Sequence, residues 1–235
     1  MKSKNVRFRI FRYKPVVIDP PRFQEFQVQV APGMSVLDCL EKIRLEQDRT
    51  LMYRRSCHHS SCGTCACRIN DLEGLTCTTE ALSLNSDTIT LAPLNGFKPI
   101  GDLVVDIQGF YEDVAEDWSH LWEPESTEKS RLPAGIQSLQ RFEDCIECAA
   151  CVSACPVTFK EEAFIGPAAL SALHRELFKH PEKAGTLRAL AGGERGVARC
   201  ERALNCSRVC PSGVYPARHI ADLRRLLAAA TDESI

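Results

Sequence analysis

The spacing of its cysteines constrains this chain more than any other feature of its sequence. Thirteen of the 235 residues are cysteine, an odd number for a framework of disulfides. The first thirty residues alternate charged with apolar side chains, so no signal peptide is expected. No run of about 20 apolar residues indicates a membrane span either. We therefore expect free thiols in a reducing compartment, where they can bind metal.

The first cysteine group has the spacing C-x4-C-x2-C and a fourth cysteine after eleven more residues. Its members are Cys57, Cys62, Cys65 and Cys77. Plant-type ferredoxins hold a [2Fe–2S] cluster with this spacing. The loop has to wrap the cluster with its backbone N–H groups directed at sulfur, and Gly63 suits that close approach. The fourth thiolate is expected to arrive from a following strand.

Two alternatives concern the same loop. Cys67 competes with Cys65, although the x2 spacing after the second cysteine favours Cys65. Structural zinc usually requires two C-x2-C pairs, and this group contains one. His58 and His59 are expected to be exposed, because four cysteines already complete a ligand set. Cys67, like Cys39 on a helix further upstream, is expected to pack as a small buried hydrophobic residue.

The second cysteine group, CIECAACVSACP, has the spacing C-x2-C-x2-C-x3-C-P. Its members are Cys145, Cys148, Cys151 and Cys155, followed by Pro156. In two-cluster bacterial ferredoxins the fourth cysteine of this motif binds the other cluster. The segment CERALNCSRVCP repeats the motif with Cys200, Cys206 and Cys210, and has Ala203 where its second cysteine would stand.

The missing cysteine determines the predicted ligand sets. Cys145, Cys148 and Cys151, with Cys210 crossing from the repeat, would provide four thiolates for a [4Fe–4S] cluster. The other site receives three thiolates, which favours a [3Fe–4S] cluster because an unligated corner tends to lose its iron. The three are Cys155, Cys200 and Cys206. A [4Fe–4S] cluster with water or another side chain at the open corner is the alternative.

Hydrophobic patterns divide the chain into an α+β half and a helical half. Val6 to Ile10, Phe26 to Val30 and Thr88 to Leu91 predict strands, and Ser35 predicts the start of a helix. These elements and the first cysteine loop form a predicted domain of residues 1–106. Residues 107–235 form the second predicted domain, in which residues 118–133 are polar and indicate a linker or surface excursion.

The predicted second domain is all-helical. Pro167 suits the first turn of a helix with Leu170, Leu173, Leu177 and Phe178 on its apolar face. Pro216 suits another, with Ile220, Leu223, Leu226 and Leu227 on its buried side. Between them, Gly192-Gly193 predicts a break between two short helices.

The order of these motifs, with three further stretches, resembles the iron–sulfur subunit of succinate dehydrogenase and fumarate reductase. The stretches are YRRSC at residues 53–57, LAPLNGFKPIGDLVVD at 91–106 and FIGPAAL at 164–170. The resemblance implies a plant-type ferredoxin domain of the β-grasp fold followed by a bacterial-ferredoxin-like helical domain. It also implies an oxidoreductase subunit that has no substrate site of its own. Electrons would pass through the [2Fe–2S], [4Fe–4S] and [3Fe–4S] clusters between the FAD of a flavoprotein subunit and a membrane quinone.

The resemblance also implies partners and a location. The chain would bind the flavoprotein and a membrane anchor with or without haem b, peripherally on the cytoplasmic face of the inner cell membrane, with quinone at the anchor interface. It departs from ubiquinone-reducing members, because no tryptophan follows Pro156 and Glu201, not histidine, follows Cys200. A menaquinone-type site or one built mainly by the membrane partner is compatible with these differences.

Other functions are weighed against this one. A soluble or heterodisulfide-type reductase subunit would use similar cubane motifs, but the plant-type group in front and Ala203 argue against it. A free ferredoxin-like carrier would be shorter. The formal net charge of −2, without a long basic run, indicates no nucleic-acid partner.

Overall fold

The computed structural model describes residues 3–114, 145–160 and 164–232. The chain divides into two compact units, one of residues 1–107 with 146–153 and the other of residues 108–145 with 154–235. The segment that carries Cys148 and Cys151 therefore groups with the N-terminal residues. The predicted linker at residues 118–133 lies outside the described residues, and the predicted domain boundary after Asp106 stays a prediction.

The N-terminal unit is built on a five-stranded mixed sheet with the strand order β2-β1-β5-β3-β4. β1 pairs antiparallel with β2 and parallel with β5, and β3 pairs antiparallel with both β5 and β4. The five strands are β1 (Lys4–Lys14), β2 (Ile18–Val30), β3 (Ala66–Ile69), β4 (Leu72–Leu75) and β5 (Thr88–Ala92). The unit also contains helix α1 (Val36–Glu46), a small sheet of β6 (Pro99–Gly101) and β7 (Val104–Val105), and a 3₁₀ turn at Leu82–Leu84.

Buried and exposed side chains alternate along the first two strands, as the sequence predicts. In β1, Val6, Phe8 and Ile10 are buried while the arginines between them are exposed. Helix α1 begins with a capping box, in which the Ser35 hydroxyl accepts the Asp38 N–H and the Asp38 carboxylate accepts the Ser35 N–H. β6 and β7 are not predicted from the sequence, since two or three residues are too few to show a period of two.

Cys39 and Cys67 both lie in the hydrophobic core of the N-terminal unit, which confirms their predicted packing role. Cys39 is fully buried and Cys67 is 2% exposed, and both pack in the cluster that includes Leu40 and Ile69. Burial raises the pKa of Cys39 to about 12 and also raises the pKa of Cys67. These two side chains are therefore protonated apolar groups of the core.

The second unit is helical in its described residues, as predicted. Its helices are α2 (Gln108–Asp113), α4 (Gly166–Lys179), α5 (Ala184–Gly192), α6 (Asn205–Arg208) and α7 (Pro216–Asp232), with 3₁₀ turns at Pro181–Lys183 and Val197–Arg199. The short helix α3 (Ala150–Ser153) lies in the segment grouped with the N-terminal unit. The core of the helical unit joins α4, α5 and α7 through Leu173, Leu187 and Leu223.

Most predicted helix features are confirmed. Pro167 lies in the first turn of α4, Pro216 opens α7, and α5 ends at Gly192, where the break was expected. The burial predicted for Phe178 is wrong, because this side chain is 39% exposed. It lies in the last turn of α4, where its ring makes a T-shaped contact with the His174 ring at 5.3 Å between centroids.

Candidate functional site

The first cysteine group lies in the irregular loop between α1 and β3 and in the turn after β4. Cys57 and Cys62 belong to the loop, Cys65 immediately precedes β3, and Cys77 follows β4 by two residues. The expectation that Cys77 comes from a strand is therefore wrong, because the strand ends at Leu75 and the chain turns there. Positive φ angles at His58, Ser60 and Gly63 curve the loop; they are +62°, +66° and +65°.

Backbone N–H groups of this loop point at cysteine sulfur. The N–H groups of His59 and Ser61 donate to the Cys57 Sγ at 3.5 and 3.3 Å. These bonds, that of His59 above all, lower the pKa of Cys57 to about 7 and favour the thiolate that iron binds. The rings of His58 and His59 are exposed, as predicted, so the part that His59 plays comes from its backbone.

The sulfur atoms of the four cysteines lie close enough to influence each other. Burial raises the pKa of Cys77 to about 11, and the neighbouring sulfurs of Cys65 and Cys57 add to the effect. Cys62 in turn donates to Cys57. Crowded thiolates repel each other unless a cation lies among them. This donor set suits an iron cluster, whose positive charge would relieve that repulsion.

Gly63 is required by packing within the N-terminal unit as well as by its backbone conformation. A Cβ atom at this position would lie 2.5 Å from the Ile146 carbonyl oxygen and 2.8 Å from the Cys148 Cβ. The first cysteine loop therefore contacts the backbone of the second cysteine motif at this glycine. The sequence predicts a glycine here because the loop backbone has to approach a cluster closely. The contact with Ile146 and Cys148 is a second reason why position 63 requires a glycine.

The second cysteine motif and its repeat share a backbone signature. In each, the two residues that flank the second ligand position have positive φ, an uncommon conformation for residues other than glycine. The angles are +50° at Glu147 and +60° at Ala149 in the first motif, and +59° at Arg202 and +63° at Leu204 in the repeat. The flanked residues are Cys148 and Ala203. Ala203 thus has the local backbone setting of a ligand, which supports the alignment made from the sequence.

Three of the predicted ligands line one cavity in the helical unit. Cys155, Cys200 and Cys206 surround a space of about 460 Å³, and Ala203 is part of its wall. Burial raises the pKa of Cys206 to about 11, and the sulfurs of Cys155 and Cys200 raise it further. The Arg202 N–H donates to the Cys200 Sγ at 3.4 Å. Much of the remaining wall is apolar, with side chains such as Val157, Phe164 and Ile220.

The other predicted cubane ligands are divided between the two units. In the helical unit, Cys145 and Cys210 pack against Ala172 and Val214, and the Val214 N–H donates to the Cys210 Sγ at 3.3 Å. Cys148 and Cys151 are half-buried in the segment grouped with the N-terminal unit. The combination of Cys145, Cys148, Cys151 and Cys210 into one ligand set stays a prediction.

Sequence reasoning missed the basic side chains that line the three-cysteine cavity, which are Arg202, Arg224 and Arg225. Arg224 lines this cavity, and its guanidinium donates to the carbonyl oxygens of Val197 and Cys200. The only sequence signal is its position four residues after the buried Ile220, on the same face of α7.

Two features are absent from the residues that the structure describes. Residues 3–114, 145–160 and 164–232 contain no group of three or more His, Cys, Asp or Glu side chains spaced to hold a single metal ion. In the same ranges, no helix combines the length and the apolar composition that crossing a bilayer requires.

Known proteins match nearly the whole chain. Residues 7–112 match a 2Fe-2S iron-sulfur cluster binding domain, and residues 141–214 match a 4Fe-4S dicluster domain. The iron–sulfur subunit of mitochondrial succinate dehydrogenase (ubiquinone) from Candida glabrata is 34% identical, over 94% of this chain and 90% of that protein. The fumarate reductase iron–sulfur subunit of Wolinella succinogenes is 32% identical, over 97% and 99%.

A solved structure has the same fold. It is the Mycobacterium smegmatis Sdh1 complex in the apo form, of which one chain matches with a TM-score of 0.77 and 22% identity, over 97% of both chains. At that identity the match supports the fold alone, whereas the curated relatives match in sequence over most of their length. The chain belongs to the family of succinate dehydrogenase and fumarate reductase iron–sulfur subunits, and is thus an electron-transfer subunit of an oxidoreductase.

Proposed function

We propose that this subunit passes electrons between the FAD of a flavoprotein subunit and a membrane quinone, through one [2Fe–2S], one [4Fe–4S] and one [3Fe–4S] cluster. The observation that carries the proposal is the cavity lined by Cys155, Cys200 and Cys206, with Ala203 in the backbone setting of the fourth ligand. A site with three thiolates and no fourth suits a three-iron cluster at one end of the series.

The proposed ligand sets are those expected from the cysteine spacing. They are Cys57, Cys62, Cys65 and Cys77 for [2Fe–2S]; Cys145, Cys148, Cys151 and Cys210 for [4Fe–4S]; and Cys155, Cys200 and Cys206 for [3Fe–4S]. When bound, such clusters take up and release single electrons, which divides the two-electron change of a flavin or a quinone into separate steps.

Backbone donors at each site would adjust the reduction potential. The N–H groups of His59 and Ser61 bond the Cys57 sulfur, that of Val214 bonds Cys210, and that of Arg202 bonds Cys200. Hydrogen bonds to ligand sulfur withdraw negative charge and favour the reduced cluster. Because Ala203 provides no thiolate, its site carries one ligand charge fewer. That difference favours the three-thiolate site as the more oxidising one, on the quinone side.

The surroundings of Ala203 support a three-iron cluster over a four-iron cluster with a substitute ligand. The Asn205 side chain donates its amide N–H to the Ala154 carbonyl at 3.2 Å, which fixes its orientation. Glu201 is exposed to solvent and is two residues away from the ligand position. Neither side chain occupies the fourth position.

Family membership implies a flavoprotein partner and a membrane partner. We infer further that the N-terminal domain has the β-grasp fold of plant-type ferredoxins and that the subunit lies peripherally on the cytoplasmic face of the inner membrane. Quinone would bind where the subunit meets its membrane anchor, with or without haem b. The quinone contacts known for ubiquinone-reducing members do not carry over, since Val157 follows Pro156 and Glu201 follows Cys200.

The test is electron paramagnetic resonance with redox titration of the purified complex. We expect a signal from an oxidised three-iron cluster and two further signals on reduction, from the [2Fe–2S] and [4Fe–4S] clusters. The three-iron signal should have the highest midpoint potential of the three. Absence of the three-iron signal from the oxidised complex would contradict the proposed ligand set.

A further inference from the structure

The Ser153 hydroxyl joins the segment of the second cysteine motif to the sheet of the N-terminal unit. Ser153 is 4% exposed and ends the short helix α3, in which Cys151 lies. Its hydroxyl accepts the Asn95 backbone N–H at 2.8 Å and donates to the Glu73 carboxylate, also at 2.8 Å. Because an N–H group can only donate, the hydroxyl proton is left for the carboxylate. One buried side chain therefore links α3 with β4 and with the loop after β5.

Both partners of Ser153 are held by their own surroundings. Glu73 lies on β4, directly opposite Arg68 on β3. The Arg68 guanidinium donates to the Asn95 side-chain oxygen at 2.9 Å and to the Asp71 carboxylate at 2.8 Å. The Ser153 hydroxyl therefore contacts groups whose positions the β3–β4 hairpin already fixes.

The turn that contains Cys151 is closed by its own hydrogen bonds. The N–H groups of Val152 and Ser153 both donate to the Ala149 carbonyl oxygen, at 3.1 and 3.0 Å. Ala149 and Val152 are also buried. Because these bonds close the turn, a contact that fixes Ser153 also restricts the backbone at Cys151.

The segment with Cys148 and Cys151 is thus fixed near both of its ends. Gly63, in the first cysteine loop, lies against the backbone at Cys148, where a Cβ would come within 2.9 Å of the Cys148 Cα. Ser153 fixes the other end through its hydroxyl. Cys148 lies at the first contact and Cys151 two residues before the second, so both thiols are held from within the N-terminal unit.

We propose that Ser153 is a positioning residue of the [4Fe–4S] cluster, whose hydroxyl holds the Cys151 thiol in the geometry that the cluster requires. Ser153 is not a ligand and acts through the α3 turn. Removing a hydrogen bond that orients a metal ligand typically costs about 10–100-fold in metal affinity. This role rests on the proposed function, since it requires Cys148 and Cys151 to bind an iron cluster.

The test compares Ser153→Ala and Ser153→Thr with Ser171→Ala in the assembled complex. Ser171 is the matched control, because its hydroxyl is fully buried yet donates to the Pro167 carbonyl of its own helix, at 2.8 Å. Paramagnetic resonance of the reduced complex follows the [4Fe–4S] signal during incubation with an iron chelator. In Ser153→Ala this signal should change its line shape and disappear about 10-fold faster than in the wild type. Ser153→Thr retains the hydroxyl and should restore both properties, and Ser171→Ala should match the wild type.

Glu73 provides a second measurement of the same link. Glu73→Gln keeps an oxygen that can accept the Ser153 proton, whereas Glu73→Leu removes it. We therefore expect fast loss of the [4Fe–4S] signal to the chelator in Glu73→Leu and a rate close to the wild type in Glu73→Gln. If Ser153→Ala does not assemble, this pair decides, and equal rates in the two Glu73 variants would overturn the proposal.

The two proposals fail in different ways. A wild-type complex without a [4Fe–4S] signal would overturn the cluster assignment, and the role of Ser153 with it. A wild-type [4Fe–4S] signal whose line shape and iron retention are unchanged in Ser153→Ala would overturn the role of Ser153 alone. Equal losses of the [2Fe–2S] and [4Fe–4S] signals in Ser153→Ala would overturn it too, because they would indicate a general loosening of the N-terminal unit.

Discussion

Gly63→Ala should destabilise the N-terminal unit by about 2–4 kcal/mol, because the new methyl group has no space and the positive φ at this position is unfavourable for alanine. Gly63 has a φ of +65°, where a residue with a Cβ costs about 1 kcal/mol. The Cβ would also lie 2.5 Å from the Ile146 carbonyl oxygen and 2.9 Å from the Cys148 Cα. Both are backbone atoms that cannot rotate away, so overpacking adds about 1–3 kcal/mol.

Gly33→Ala is the matched control. Gly33 has a φ of +82°, but a Cβ there would meet no heavy atom within 4 Å. This variant should therefore lose only the backbone part, about 1 kcal/mol. The difference between the two variants in the midpoint of thermal or denaturant unfolding isolates the contact with Ile146 and Cys148. Equal losses of stability in the two variants would refute the inferred contact.

The same variant tests the link between the contact and cluster binding. Because the clash falls on Cys148, Gly63→Ala should disturb the [4Fe–4S] signal as well as the [2Fe–2S] signal from its own loop. The three-iron signal should change least, since its proposed ligands are Cys155, Cys200 and Cys206. A change confined to the three-iron signal would contradict this account.

Three further predictions concern the cavity, the sheet and the helical unit. Ala203→Cys should replace the three-iron resonance with an oxidised, diamagnetic [4Fe–4S] cluster, because it supplies the missing thiolate. Arg12→Met should lower the free energy of unfolding by about 3–5 kcal/mol, since Arg12 is 1% exposed and pairs with Asp48 and the 2%-exposed Asp102. Acidification from pH 7 to 5.5 should destabilise the helical unit by about 1 kcal/mol through His219. Burial lowers the pKa of His219 from 6.5 to about 4, so below pH 6.5 the unfolded chain binds more protons.

Each of these has a control and a contrary outcome. Ala198→Cys is the control for the cavity variant, because it adds a thiol at an exposed position outside the cavity wall and should keep the three-iron signal. If the three-iron signal also persists in Ala203→Cys, the alignment of Ala203 with the missing ligand is refuted. Arg9→Met, at an exposed position of the same strand, should cost about 0.5–1 kcal/mol, because it loses only the contact of its guanidinium with the Phe23 ring. An equally small loss in Arg12→Met would contradict the buried pair. His219→Gln should flatten the pH dependence of the melting temperature, and an unchanged slope would exclude His219 as its source.

Structure could be predicted from the sequence where a short local pattern determines it. Val6, Phe8 and Ile10 alternate because one face of β1 is buried, and Ser35 with Asp38 is a capping signal that is visible in the letters themselves. Cysteine spacing likewise predicts that Cys155, Cys200 and Cys206 lie together, since ligands of one cluster must meet in space, and the three line one cavity.

Features that depend on tertiary contacts could not be predicted in this way. Arg224 is one member of an ordinary basic pair until the fold brings it beside Val197 and Cys200. The contact of Gly63 with Ile146 joins residues more than eighty positions apart, and no local pattern encodes it. Cys77 was expected on a strand because the sequence does not show that β4 ends at Leu75.

The backbone around Ala203 argues that this loop still wraps a cluster. Arg202 and Leu204 hold positive φ angles that cost about 1 kcal/mol each for residues with side chains, and neither residue type favours that conformation. Such strain persists where its surroundings require it, and it concentrates at binding sites. A surface loop with no ligand to bind would have no reason to keep the conformation found around Cys148. Ala203 is therefore better explained as a changed ligand position in a working site than as a sign that the site was lost.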